Sequence, residues 1–130
     1  MTTSPTPSDA PTFFEHLRGL FGSTPDDGRL GSKVDAARAL DLIADGATLL
    51  DVREKGEWKS GHAPHAIHVP LGQIDQAPRR LHSGRPVVVV CASGVRSRTA
   101  AKHLRGLGFD AASLSGGMPA WQRAGGEVRR

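Results

Sequence analysis

The only cysteine in the 130-residue chain, Cys91, follows the apolar run Pro86-Val87-Val88-Val89-Val90 and precedes Ala92-Ser93-Gly94-Val95-Arg96-Ser97. Four consecutive valines read as a buried strand, and the segment after Ser97 reads as a helix, so the sulfur falls in the loop at a strand's carboxyl end. Open α/β sheets bind ligands at that edge. The thiolate is the nucleophilic form of cysteine, and a free thiol of pKa about 8.5 is only a few per cent ionised at neutral pH. A reactive site must therefore lower that value. Loop amides converging on the sulfur, the positive end of a helix starting near Ser97, and the charge of Arg96 would each do so. Gly94 lets the loop curl with its N–H groups inward, and Ser93 and Ser97 offer hydroxyl donors. The competing reading is plain: isolated cysteines are usually inert, buried small hydrophobes.

Other residues invite chemistry less strongly. His62, His65 and His68 are spaced three apart, but Pro64 and Pro70 put them in a turn and a strand rather than on one helix face. No metal site is expected there, and His62 is expected to bond to nearby backbone. Gly116-Gly117 lacks the following lysine of a phosphate loop and reads as a strand-to-helix turn. Trp58 and Trp121 read as anchors packed beside the sheet.

The net charge of +4 is spread along the chain. Without a basic stripe and interleaved aromatics, no nucleic-acid interface is expected. A lone cysteine forms neither an internal disulfide nor a thiolate metal site, which points to a reducing, cytoplasmic setting. No stretch approaches the roughly 20 apolar residues of a membrane span, and no basic start with an apolar core marks a secretory signal.

The elements that must position Cys91 follow from periodicity. Residues 1–11, rich in Thr, Ser and Pro, are expected to be a disordered tail. Residues 12–31 read as a short amphipathic helix, with Phe13, Phe14, Leu17, Leu20 and Phe21 on one face, followed by a linker. That face would dock on the domain or, through residues 12–22, meet a protein partner. Residues 32–130 form the main domain. Within it, Ser32 or Asp35 caps a helix carrying Val34, Ala37, Leu40 and Ile43, closed by Gly46. Strands are expected over 48–52, 66–69, 86–90 and 111–114. Helices are expected over 54–59, 71–81 (disturbed by Pro78), 97–107 and 119–124. This alternation implies an α/β fold with a mainly parallel sheet covered on both faces.

Taken together, Leu50-Asp51-Val52-Arg53-Glu54 with Glu57-Trp58, Gly61-His62-Ala63-Pro64, Cys91 to Ser97, and Leu114-Ser115-Gly116-Gly117-Met118-Pro119-Ala120-Trp121 resemble a single-domain rhodanese. The resemblance implies a rhodanese-like fold with a five-stranded sheet. It implies Cys91 as the catalytic residue, with Ala92, Ser93, Gly94, Val95, Arg96 and Ser97 forming the loop that holds substrate and persulfide. Asp51, Arg53 and His62 would form a supporting frame. The implied chemistry takes a sulfane sulfur from a small anionic donor such as thiosulfate, or from a persulfide, and passes it to an external thiol or cyanide. No cofactor or metal is required. Phosphatases related to this fold separate the cysteine and arginine by five residues, whereas four separate Cys91 from Arg96; the smaller ring suits sulfur. Two departures from the family pattern stand out. His65 occupies a turn position usually held by a small residue, and Glu57 stands where two-domain members tend to carry a sulfonate-binding arginine, so that its charge would repel thiosulfate. Turnover as an enzyme and partner-directed sulfur carriage both remain compatible with these residues.

Overall fold

The computed structural model describes residues 28–130. The tail at 1–11 and the apolar face at 12–22 lie outside the described residues. No helix among the described residues is long and apolar enough to cross a membrane.

The strands are β1 (Lys33–Val34), β2 (Thr48–Asp51), β3 (Ile67–His68), β4 (Val87–Val90) and β5 (Ala111–Leu114). The helices are α1 (Ala36–Ala44), α2 (Lys55–Lys59), α3 (Val95–Gly106) and α4 (Gly117–Arg123), with a 3₁₀ segment over Leu71–Arg80. All strand pairs are parallel, in the order β1-β5-β4-β2-β3. The parallel sheet is the one that the alternation of elements implies, and its five strands are the number that the resemblance implies.

Strand β4 lies at the centre, and its side chains alternate between two cores. Val87, Val89 and then Cys91 join Leu50, Val52 and Ala111 beneath Ala100, Ala101 and Leu104 of α3. Val88 and Val90 face the other way, with Leu49, Ala112 and Leu114, onto Ala39 of α1 and Trp121 of α4. The valines of β4 are at most 1% exposed, and each contributes about 1.5–3 kcal/mol by leaving water. The run is uniformly apolar because the sheet is buried on both sides.

Several boundaries differ from the sequence expectation, three of them with a clear cause. Val34 belongs to a strand and not to the first helix: it pairs with Leu114, and Asp35 ends the strand by accepting a hydrogen bond from the Arg38 amide at 2.8 Å. The 71–81 segment is 3₁₀ and not a regular helix, with a break at Gln73 (φ −118°, ψ 21°) and Pro78 inside it. Proline there removes a donor and crowds the preceding turn. Helix α3 starts at Val95, two residues before the expected start, because Gly94 at φ 108° makes the turn into it. This earlier start brings the first turn of α3 directly under the sulfur.

Candidate active site around Cys91

Cys91 has no exposed surface. Its Sγ accepts hydrogen bonds from the Gly94 amide at 3.0 Å and the Ser97 amide at 3.3 Å. The Ser97 hydroxyl oxygen lies 3.5 Å from the sulfur. Burial pushes the thiol's pKa up, but the Ser97 hydroxyl and the amides of Ser97, Gly94 and Ser93 outweigh it, and the net direction is down from 9.0. Hydrogen bonds to the charged form act against desolvation in this way. The fold thus presents inward-facing donors to a sulfur withheld from bulk water.

Two glycines shape the cradle. Gly94 has space for a methyl group, whose nearest neighbour would be Gly116 N at 3.5 Å, but its φ of 108° strains any other residue. Gly117, also at a positive φ of 63°, is limited by space as well: a Cβ there would sit 2.3 Å from Ala92 O and 2.6 Å from Cys91 O. This close approach lets the Met118 amide donate to Cys91 O at 2.9 Å, clamping the loop from α4. Gly117→Ala is therefore expected to displace the loop and lower activity by about tenfold or more, since small misplacements of reacting groups are costly. Gly94→Ala is expected to cost about 1–2 kcal/mol from backbone strain alone. Thermal melts and activity assays of the two variants check these expectations.

Arg96 brings the loop's full positive charge, which acts on Cys91. Its guanidinium grips Glu57 of α2 through two hydrogen bonds of 2.7 and 2.9 Å. The Arg96 hydrogen bond holds the Glu57 carboxyl down at about 2 against the opposing effect of burial, and Glu57 in turn raises Arg96. A depressed carboxylate supports the fold fully above its unfolded value and loses that contribution as pH falls through the folded value. This pair therefore persists until about pH 2. Both partners are about a third exposed, so its energetic weight is modest. The pair partly offsets the loop's positive charge, which still acts on Cys91.

Asp51, Arg53 and His62 each make hydrogen bonds near the loop. Arg53 Nε donates to both carboxylate oxygens of Asp51, and its Nη2 donates to Asp51 Oδ2 at 2.8 Å and to Gly61 O at 2.7 Å. His62 donates from Nδ1 to Trp58 O at 2.7 Å, as its backbone-bonding reading anticipates. His68 Nε2 donates to Arg53 O at 2.7 Å. The His62 and His68 rings both stack on Trp58, with centroids 3.6 and 4.6 Å from the indole. His65 is the only non-glycine with positive φ among the described residues, at 68°, so the substitution noted from the sequence lies at a strained turn position. Trp121 is buried and donates to Glu127 O at 2.9 Å.

Ser113 is a residue that the sequence reading passed over. It lies on β5, is 1% exposed, and its Oγ is 2.7 Å from Ser97 Oγ. The signal was a hydroxyl inside an otherwise apolar strand, Ala111-Ala112-Ser113-Leu114.

The fold, the six-residue loop and the buried sulfur at the sheet edge define a class, and comparison with known proteins agrees with it. The chain belongs to the rhodanese-like domain family, whose model matches residues 35–124. It is 35% identical over 91 residues to the thiosulfate sulfurtransferase GlpE of Pseudomonas syringae pv. syringae (strain B728a), covering 69% of this chain and 86% of that one. It is 34% identical over 111 residues to a tRNA sulfurtransferase of Desulfurococcus amylolyticus, covering 85% of this chain but only 21% of that longer protein. A crystal structure of a rhodanese-related protein from Thermoplasma volcanium superposes with a TM-score of 0.68 at 30% identity, covering 75% of this chain and 97% of that one.

Proposed function

We propose that this protein is a sulfurtransferase that carries a sulfane sulfur on Cys91 as a persulfide. The observation that carries this reading is a buried sulfur held by the Gly94 and Ser97 amides, with its pKa lowered. In the first half-reaction, the Cys91 thiolate attacks the outer sulfur of the donor. A new S–S bond forms on Cys91 as the donor's own bond to that sulfur breaks, and the leaving sulfite or thiolate keeps the electron pair. In the second, cyanide or an external thiolate attacks the outer sulfur and Cys91 leaves as thiolate. No net oxidant enters either step. The loop amides stabilise the negative charge as it moves onto and off the sulfur atoms, which is the electrostatic role of preorganised donors. With a single cysteine in the chain, the persulfide has no internal thiol to resolve it, so an external acceptor is required.

The Glu57–Arg96 pair bears on the donor. Thiosulfate is a dianion, and the arginine best placed to meet it is occupied by a carboxylate. A hydropersulfide carries less charge and is the better match. Glu57→Gln releases Arg96, and its kcat/KM with thiosulfate is expected to rise by about three- to tenfold, with the gain shrinking in high salt. Rates with a low-molecular-weight hydropersulfide should change little. Thiocyanate formation from each donor provides the test. An unchanged thiosulfate rate in the variant would mean that the pair does not affect the donor, and a lower one that the intact pair assists it.

A further inference from the structure

The hydroxyl of Ser113 extends the donor set of Cys91 by one link. Cys91, Ser97 and Ser113 are exposed by 0%, 0% and 1%. Sγ lies 3.5 Å from Ser97 Oγ, which lies 2.7 Å from Ser113 Oγ. Strand parity explains the line-up. Ser113 is in register with Val89 of β4, and Val89, Cys91 and Ala111 all belong to the core beneath α3, the helix that carries Ser97.

A serine hydroxyl has one proton to donate. Ser97 can direct it to the sulfur or to Ser113, but not to both. If Ser97 donates to Ser113, it offers the sulfur only lone pairs, which suit a thiol and oppose a thiolate. If Ser97 donates to the sulfur, the 2.7 Å contact is a hydrogen bond only with Ser113 as its donor. The chain therefore has two polarities, matched to the two charge states of Cys91.

We propose that Ser113 is a positioning residue for Cys91, which donates to Ser97 Oγ and so turns the Ser97 proton onto the thiolate. Linked hydrogen bonds polarise one another, strengthening each by roughly 10–30%. The same charge returns to Sγ when an acceptor removes the outer sulfur, so the link serves both half-reactions. Charged groups on the neighbouring elements leave room for this effect. Asp51 at the end of β2 is paired with Arg53; Arg96 of α3 is paired with Glu57 of α2 and also acts on Cys91 through its charge, a pull common to the wild type and the Ser113 variants. Strand β5 and the first turn of α4 contribute no ionisable residue. The proposal rests on Cys91 acting as a thiolate nucleophile.

The test is the pH dependence of iodoacetamide alkylation, read without ambiguity because the chain has one cysteine. In Ser113→Ala the midpoint should move up, slowing alkylation at pH 6 by about threefold, against about tenfold for Ser97→Ala. In the Ser97→Ala background, removing the Ser113 hydroxyl should add nothing, because its action passes through Ser97. Ser113→Thr, which keeps a hydroxyl, should restore the wild-type midpoint. A midpoint unmoved or lowered by Ser113→Ala would overturn the proposal, as would an equal shift in both backgrounds. An ordinary midpoint in the wild type would instead remove the thiolate reading, and the proposal with it.

Discussion

Cys91→Ser is expected to lower sulfur transfer on the order of a thousandfold or more, to the level of the uncatalysed reaction, with the fold retained. Loss of a nucleophile removes the covalent route altogether, and single replacements of this kind have effects at least that large. Serine nearly matches cysteine in volume and can accept from the Gly94 and Ser97 amides that now hold the sulfur. Its hydroxyl ionises far above neutral pH, and it forms no persulfide. The check is thiocyanate formation by the wild type and the variant, alongside thermal melts of both. Retained turnover in a folded Cys91→Ser protein would show that sulfur moves without this residue.

Asp51→Ala is expected to destabilise the protein by about 3–5 kcal/mol, the cost of leaving a buried charge without its partner. The Arg53 and Asp51 side chains are 8% and 1% exposed, so water cannot take the carboxylate's place. Arg53 also holds Gly61 O, which precedes the His62 turn bonded to Trp58 O. Loss of the pair should therefore loosen the support beneath α2 and, through Glu57, beneath Arg96. Replacing both partners, as in Asp51→Leu with Arg53→Met, should cost less than Asp51→Ala alone, because no stranded charge remains. Urea unfolding of the three proteins gives the comparison. A loss below about 1 kcal/mol in Asp51→Ala would place the pair among weak surface interactions.

Much of this architecture was legible in the sequence because burial on both faces of a sheet leaves an unmistakable mark. Four valines before a cysteine locate β4 and the edge where the sulfur emerges. Strand β1 was hidden, since Lys33–Val34 is too short to show alternation and Val34 falls in phase with the helical spacing of Ala37, Leu40 and Ile43. The 3₁₀ segment kept enough apolar spacing to pass for a helix, although Gly72 and Pro78 weaken regular hydrogen bonding there. The ion pair between Glu57 and Arg96 joins residues 39 apart, and which partner a cation selects is a property of the folded arrangement. The contact between Ser97 and Ser113 is equally non-local, set by strand register and by the earlier start of α3. The residue types thus pointed to the chemistry, while the tuning of charge around Cys91 depended on tertiary contacts.

The central claim is that Cys91 takes up and holds one sulfur atom, and intact mass spectrometry after incubation with thiosulfate or a hydropersulfide tests it most directly. The account predicts a gain of about 32 Da, mapped to the peptide containing Cys91, removed by dithiothreitol and absent from Cys91→Ser. No gain with either donor, or an equal gain in the serine variant, would contradict it.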